Sequence, residues 1–380
     1  MASSFSSRAL EALVGCAEAI EAGDLRIADS RLDGILTLAA QQPKEAEWEV
    51  QVVKYFAEAL VRRAYGLQHP AAANFSLHLC PPFFWIRSWW WWHGVIESIR
   101  VGIQKELMGK KRFHLIDFYI PHLYRGNGYL FDALPVPESC KNGQLSVRVS
   151  VVLPPCLKEI VNVERENDYL TDEAGIFNLI MEERLEVVYA NSLSEVDASV
   201  LELGRRQDEA VLVFYSNKLQ MMLGEEGVLE REFRKLRDIN PDVVIISEQS
   251  VELHHSDYIT HFKDSFHYYS LALQTYRSYI PEVGQYYRRQ IWRGVRLQTL
   301  DQWTSRLEDA HFSQLPLNLD YGGVFYKNNN GCLVFTSDDP NHPLDFISAW
   351  KLRDLEPPLI PIRHNHFNPI GILFSFFFLN

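Results

Sequence analysis

The stretch RFHLIDFYIPHLYRGNGYLFDAL, residues 112–134, decides the fold. A short apolar run from Phe113 to Ile116 ends in an acid, Asp117, and two glycines follow at Gly126 and Gly128. The first strand of a cofactor-binding α/β fold opens in this way. Such a site needs its glycines directly after the strand, where the backbone approaches the ligand and points N–H groups at it. Here the bulky residues Phe118 to Arg125 fill that turn, and the glycines come late. The next apolar run, 145–153, leads into Pro154-Pro155, where a ribose-holding acid is required. The expectation is the scaffold of a cofactor enzyme with no cofactor bound.

Working outward, strand-like runs recur at 113–119, 145–153, 185–190, 210–215 and 242–247. Helical stretches are expected at 169–184, 226–238, 256–277 and 283–298, and strands again at QLPLNL, CLVFT and DFISAW. Continuous apolar strands alternating with helices indicate a mainly parallel sheet covered on both faces. The N-terminal part reads as helices. Leu10, Leu13, Val14, Ala17 and Ile20 form one stripe, with Ser7 as its N-cap. Gly23 and Asp24 stop that helix and cap the next, which carries Leu25, Ala28, Leu32, Ile35 and Leu36. Val50, Val53, Ala57, Leu60 and Ala64 form a third stripe. Such stripes serve as intramolecular core or as a partner-binding face. The run Trp89–Trp92 fits no amphipathic period and reads as an insertion or a base-stacking platform.

The chain has 380 residues, of which 47% are hydrophobic and 23% charged, which suffices for a sizeable core. Its formal net charge of −12 disfavours direct, sequence-independent binding to nucleic acid. The basic clusters Arg231, Arg234, Lys235, Arg237 and Arg288, Arg289, Arg293, Arg296 read first as solvated helix faces. The odd, scattered cysteines fit a reducing compartment. MASSFSSRAL does not read as a secretory signal, and no apolar run reaches the roughly 18 residues of a membrane helix.

Three further features touch on chemistry. Asp117 reads as a cap for loop N–H groups, and Glu248 as a general base or a cap. His254, Asp257 and His261 have the spacing of one helix face, but H-E-x-x-H is missing and the default is ordinary histidines. No G-x-S-x-G elbow and no P-loop motif occurs.

Blocks in order along the chain resemble the GRAS family of plant transcriptional regulators. LEALVGCAEAIEAGDLRIADSRLDGILTLA and KYFAEALVRRAYG resemble its first leucine-rich region, and RFHLIDF its VHIID block. LEVVYANSL with EAVLVFYSNKL resembles the second leucine-rich region. INPDVVIISEQ, FHYYSLALQTYR and QYYRRQIWRGV resemble the PFYRE region, and WTSRLEDAHFSQLPL, NNGCLVF and ISAWK the SAW region. Where the family has a Gly and a Gln-Trp pair after VHIID, this chain reads Pro121 to Arg125, and the arginine–glutamate pair of PFYRE reads Arg289-Gln290.

The resemblance implies an α/β fold: a Rossmann-like, methyltransferase-related, mainly parallel sheet with helices on both faces and an α-helical N-terminal cap. It implies a GRAS domain over 8–351, made of a cap region 8–110 and a core 111–351, with an extra tail 352–380 expected to be poorly ordered. It implies a nuclear, non-enzymatic regulator with no cofactor. Such a regulator meets other transcription factors, zinc-finger DNA-binding proteins and other GRAS proteins, forms homo- or hetero-dimers, and reaches DNA only indirectly, with no membrane role. The family's long disordered N-terminal extension is not seen here, so the chain is expected to need a partner to supply activity. The expected partner surface is Leu10, Leu13, Ala17, Leu32, Leu36, Val53 and Leu60; His114, Ile116, Asp117 and Trp350 are expected to be structural. The alternatives are an S-adenosylmethionine-dependent methyltransferase-like enzyme and a small-molecule receptor using the degenerate cofactor cleft.

Overall fold

The computed structural model describes residues 4–43, 46–67, 89–118, 146–155, 158, 184–197, 199–201, 208–223, 226–253, 255, 257–275, 280–294, 297–317, 326–336 and 343–353. The stretches 119–145 and 354–380, with the late glycines and the tail, lie outside these residues, as does the expected helix 169–184 apart from Arg184, which begins a strand. In chain order the helices are α1 (Ser4–Glu21), α2 (Leu25–Ala40), α3 (Glu47–Ala64), α4 (Trp89–Ile103), α5 (Leu219–Met222), α6 (Val228–Ile239), α7 (Tyr258–Thr275), α8 (Ile280–Arg293) and α9 (Leu300–Asp309). The strands are β1 (Arg112–Asp117), β2 (Ser146–Leu153), β3 (Arg184–Tyr189), β4 (Glu209–Ser216), β5 (Val243–Gln249), β6 (Phe312–Leu315), β7 (Tyr326–Asn329), β8 (Cys332–Thr336) and β9 (Pro343–Leu352).

All described strands join one sheet in the order β3-β2-β1-β4-β5-β9-β8-β7, with β6 paired to β9. The first five are parallel in sequence-reversing order, the arrangement of Rossmann-like and methyltransferase-like sheets. β9 then joins β5 antiparallel, setting Trp350 beside Val244 and Ala349 beside Ile245. The central strands β4 and β5 carry almost no polar alternation, because both faces are covered. Phe113, Leu115, Leu212, Phe214 and Ile245 enter one apolar cluster with residues of α1–α4, α7 and α8. Ile116, Val211, Val213, Tyr215 and Ile246 enter the other with residues of α5, α6 and α9.

Local signals set the helix ends. Gly23 has φ 78°, and Asp24 Oδ1 accepts the Ile27 N–H at 3.0 Å, so α1 stops and α2 starts there. Asn240 closes α6 in the left-handed region at φ 53°, directly before Pro241. Ser7 is not a cap: α1 has begun by Ser4. Of the tryptophan run, Trp89–Trp92 form the first turn of α4. Helix α9 was not expected. Its signal is the capping box, in which Thr299 and Gln302 bond each other's backbone N–H groups.

Phe56 on α3 joins cap to core. Its ring meets Phe262 edge-on at 5.1 Å and Phe266 at 5.2 Å, both on α7. Trp350 is fully buried on the other face and donates its indole N–H to Ser348 Oγ at 2.8 Å. Truncation there leaves a void lined by a rigid sheet. Trp350→Ala is expected to cost about 3–5 kcal/mol, read as a fall in the denaturant midpoint; an unchanged midpoint would refute the anchoring role.

Candidate functional site

Open α/β sheets bind ligands beyond the carboxyl ends of their strands, at the point where the strand order reverses. Here that point lies between β1 and β4. Asp117 ends β1 and is 3% exposed; β4 ends in Ser216, and β5 in Ser247-Glu248-Gln249, all buried. Strand alternation puts Asp117, Ser216, Ser247 and Gln249 on the face that carries Phe113, Phe214 and Ile245. The chain leaves β4 through Asn217 in the left-handed region at φ 49°, held by its N–H on Ser247 O at 2.7 Å. Among the described residues, Ser216 Oγ, Asn217 Nδ2, Ser247 Oγ and both amide atoms of Gln249 are buried with no hydrogen-bond partner. Each such atom costs about 1–3 kcal/mol, so this edge carries buried polar groups that the described residues leave uncompensated.

Glu248 faces the opposite side. Its Oε1 accepts the Leu219 N–H at 2.7 Å, so it caps the start of α5. Burial pushes its carboxyl from 4.5 up to about 8; backbone N–H groups of residues 218–220 pull it down, and Asp345 adds to the rise. A carboxyl that is mostly protonated near neutral pH serves poorly as a general base. Glu232 on α6, which the sequence reading passed over, is fully buried and ties three segments together. It accepts the N–H groups of Leu193 and Ser194, both at 3.0 Å, and the Tyr215 hydroxyl at 2.6 Å. A carboxylate inside the 3.6-residue period of an amphipathic helix gives no sign of which side it faces.

His114 sits on β1, fully buried, in a polar ladder across three strands. Arg148 Nη2 lies 3.0 Å from its Nδ1 and also reaches Glu209 at 3.3 Å; Ser150 Oγ lies 2.9 Å from Nε2. A guanidinium only donates, so Nδ1 accepts and Nε2 carries the proton toward Ser150. Ile116 lies beside it in the α6 and α9 cluster.

The residues expected to meet a partner are mostly spent inside the chain. Leu13, Ala17, Leu32, Val53 and Leu60 are at most 5% exposed in the cluster that joins α1, α2 and α3 to the sheet, and Leu10 is half-buried. Only Leu36, at 48%, is open. These helices bury their stripes because three amphipathic faces meet one another and α7. The reachable apolar groups are instead Leu25, Ile27 and Leu36 on α2, with Tyr65 just past α3, whose hydroxyl bonds Asp29.

Of the spaced residues His254, Asp257 and His261, the structure describes only the last two. His254 lies outside the described residues, Asp257 caps α7 through the Thr260 N–H at 2.7 Å, and no group of three metal-type ligands occurs among the described residues. Among them, too, no helix is long and apolar enough to cross a membrane.

The sign of the Glu248 effect follows from linkage. The folded state holds this proton more tightly than the unfolded chain, so stability is fullest below pH 4.5 and falls as pH rises to about 8. Glu248→Gln keeps the acceptor for Leu219 and cannot ionise. It should flatten the fall in unfolding free energy across that window, by up to about 1.4 kcal/mol per pH unit, in denaturant titrations run at several pH values.

Comparison with known proteins places this geometry. The chain is 28% identical over 380 residues to DELLA protein 2 of Medicago truncatula, covering 91% of this chain and 67% of that one. It is 29% identical over 398 residues to DELLA protein GAI1 of Vitis vinifera, covering 93% of this chain and 63% of that one. It spans about two thirds of the length of the curated relatives it matches. The crystal structure of SCL7 in Oryza sativa superposes with a TM-score of 0.62 at 20% identity, over 90% of this chain and 99% of that one, and so shares its fold. The match to the GRAS domain family spans residues 101–321, and the chain belongs to that family.

Proposed function

We propose that this chain is a nuclear, non-enzymatic transcriptional regulator that works through contacts with other transcription factors, among them zinc-finger DNA-binding proteins and other GRAS proteins. The GRAS unit in this reading runs over 8–351, with 8–110 as cap region and 111–351 as core. Membership in the GRAS domain family and likeness to DELLA proteins support it. The geometric observation that carries it is the exit of β2. The strand ends at Leu153 and runs into Pro154-Pro155, so among the described residues no carboxylate follows the strand at the position where a cofactor's ribose hydroxyls would be held. The chain leaves β1 through Phe118, whose ring stacks on Tyr215 at 4.7 Å and 16°. The net charge of −12 favours reaching DNA through a partner rather than through phosphate contacts.

Partner contact in this reading uses one flank of α2, Leu25 and Leu36, with Tyr65 beside it. A second reading, a small-molecule receptor in the cleft between β1 and β4, is favoured by the unpartnered Ser216, Ser247 and Gln249.

Two measurements test the proposal. Calorimetric titration of the full chain with S-adenosylmethionine should give no heat and no rise in Tm. A ligand at a hundredfold excess over Kd adds about 2.7 kcal/mol of stability, so micromolar binding would show plainly and would revive the enzyme reading. Co-purification with a second GRAS protein and with a zinc-finger transcription factor should fail for the pair Leu25→Glu and Leu36→Glu while circular dichroism stays unchanged. Retained partners in that variant would remove this flank of α2 from the proposal.

A further inference from the structure

A cavity of about 580 Å³ opens at the carboxyl edge of the sheet, where the exit of β5 meets α7, the start of α9 and the start of β9. Its size is ordinary for a pocket that takes a small molecule, about 300–1,000 Å³. Among the described residues no Lys or Arg lines it, and its carboxylates come from three segments: Glu252 after β5, Asp264 on α7 and Asp301 on α9. Val251, Leu271, Leu300 and Leu344 supply apolar wall. The three acids are exposed, whereas Leu300 and Leu344 are buried and Val251 and Leu271 half-buried, so the charges stand at the rim and the apolar residues form the floor.

One of the acids is already engaged: His255 Nε2 lies 3.0 Å from Asp264 Oδ2. Glu252 and Asp301 have no hydrogen-bond or ion-pair partner among the described residues. Lys263, the cation next to Asp264 in sequence, acts on Asp257 instead. The start of α9 does not offset these charges, because Ser250 Oγ accepts the Leu300 N–H at 3.1 Å and Thr299 Oγ1 accepts the Gln302 N–H at 3.3 Å. Gln249, the last residue of β5, is fully buried on the α7 face of the sheet with neither amide atom paired. The residue joined to the cavity-lining Ser250 thus holds polar capacity that the fold does not use. No group of three metal-type ligands assembles among the described residues, so the arrangement does not suit a bare metal ion. Unpaired carboxylates at the rim of an apolar floor suit a cation carried on an apolar body.

We propose that this cavity binds a small-molecule ammonium carried on an apolar body, with the ammonium at Glu252 and Asp301 and the body on Val251, Leu271 and Leu344. The site is separate from the α2 flank and does not depend on what that flank meets. Its walls belong to the β5 exit, α7, α9 and β9. A molecule seated there ties these segments together and stabilises the folded chain, since it binds only their packed arrangement.

Calorimetric titration and thermal melting of the full chain with phenethylammonium, and with phenethyl alcohol as its neutral counterpart, test this. The ammonium should bind about fivefold or more tightly at low ionic strength, where exposed charge pairs count most, and should raise Tm. Glu252→Gln combined with Asp301→Asn should erase that preference and leave binding of the alcohol unchanged. Leu271→Trp fills the floor without touching a charge, and should abolish binding of both. Equal affinity for the two probes overturns the proposal, as does a preference that survives in the paired variant or ammonium binding that survives in Leu271→Trp. A capped leucine-lysine-leucine peptide that binds more tightly than phenethylammonium overturns the small-molecule assignment. If Leu271→Trp fails to fold, the paired variant decides, because both of its positions are exposed.

Discussion

The central strands of this sheet have no face to show to water, and the molecule is organised around hiding both. β1, β4 and β5 alternate apolar residues into two separate clusters, so one set of helices cannot serve. The helices α5, α6 and α9 close one side. On the other, α4, α7 and α8 are joined by the three-helix cap, and Phe56 is the point at which the cap locks on, edge to face with Phe262 and Phe266. Two ion pairs frame that contact, Arg63 donating twice to Glu21 Oε1 and Arg288 paired with both oxygens of Glu58. They are half-exposed and contribute orientation more than energy.

Burial on both faces also explains the unusual chemistry at the carboxyl edge. Side chains there are enclosed whatever their polarity. Glu248 and Glu232 face inward, and each is held by backbone N–H groups, which compensate in part for lost hydration. Ser216, Ser247 and Gln249 have no such compensation. The same scaffold that in other proteins holds a cofactor therefore retains a polar edge here, while the exits from β1 and β2 carry an aromatic ring and two prolines.

Much of this was readable from residue order. The apolar runs place β1, β2, β3, β4 and β5 to within a few residues of where they lie. Runs of that length and type have one stable solution, a covered parallel sheet. Gly23-Asp24 and Asn240-Pro241 mark helix ends because their signals are local: a left-handed residue, a side-chain oxygen, a ring that cannot continue. Helix α9 escaped because it is short and lies between the expected helix 283–298 and the strand run QLPLNL, where no element was assigned. Trp89–Trp92 escaped because an apolar run without period says nothing about whether it coils.

What the sequence by itself determined is the sheet, its double cover and the amphipathic stripes of the cap, all products of short-range periodicity. The tertiary structure alone decided where those stripes go. Leu13, Leu32, Val53 and Leu60 look alike on a helical wheel whether they face a partner or one another, and packing turned them inward and left Leu36 outside. It also decided the electrostatics. Glu252, Asp264 and Asp301 belong to three separate segments and line one cavity only because the β5 exit, α7 and α9 meet there. Burial in the fold, with Asp345 nearby, pushes the Glu248 carboxyl from 4.5 up to about 8. Periodicity is a property of neighbours in sequence, whereas burial and shared electric fields are properties of neighbours in space.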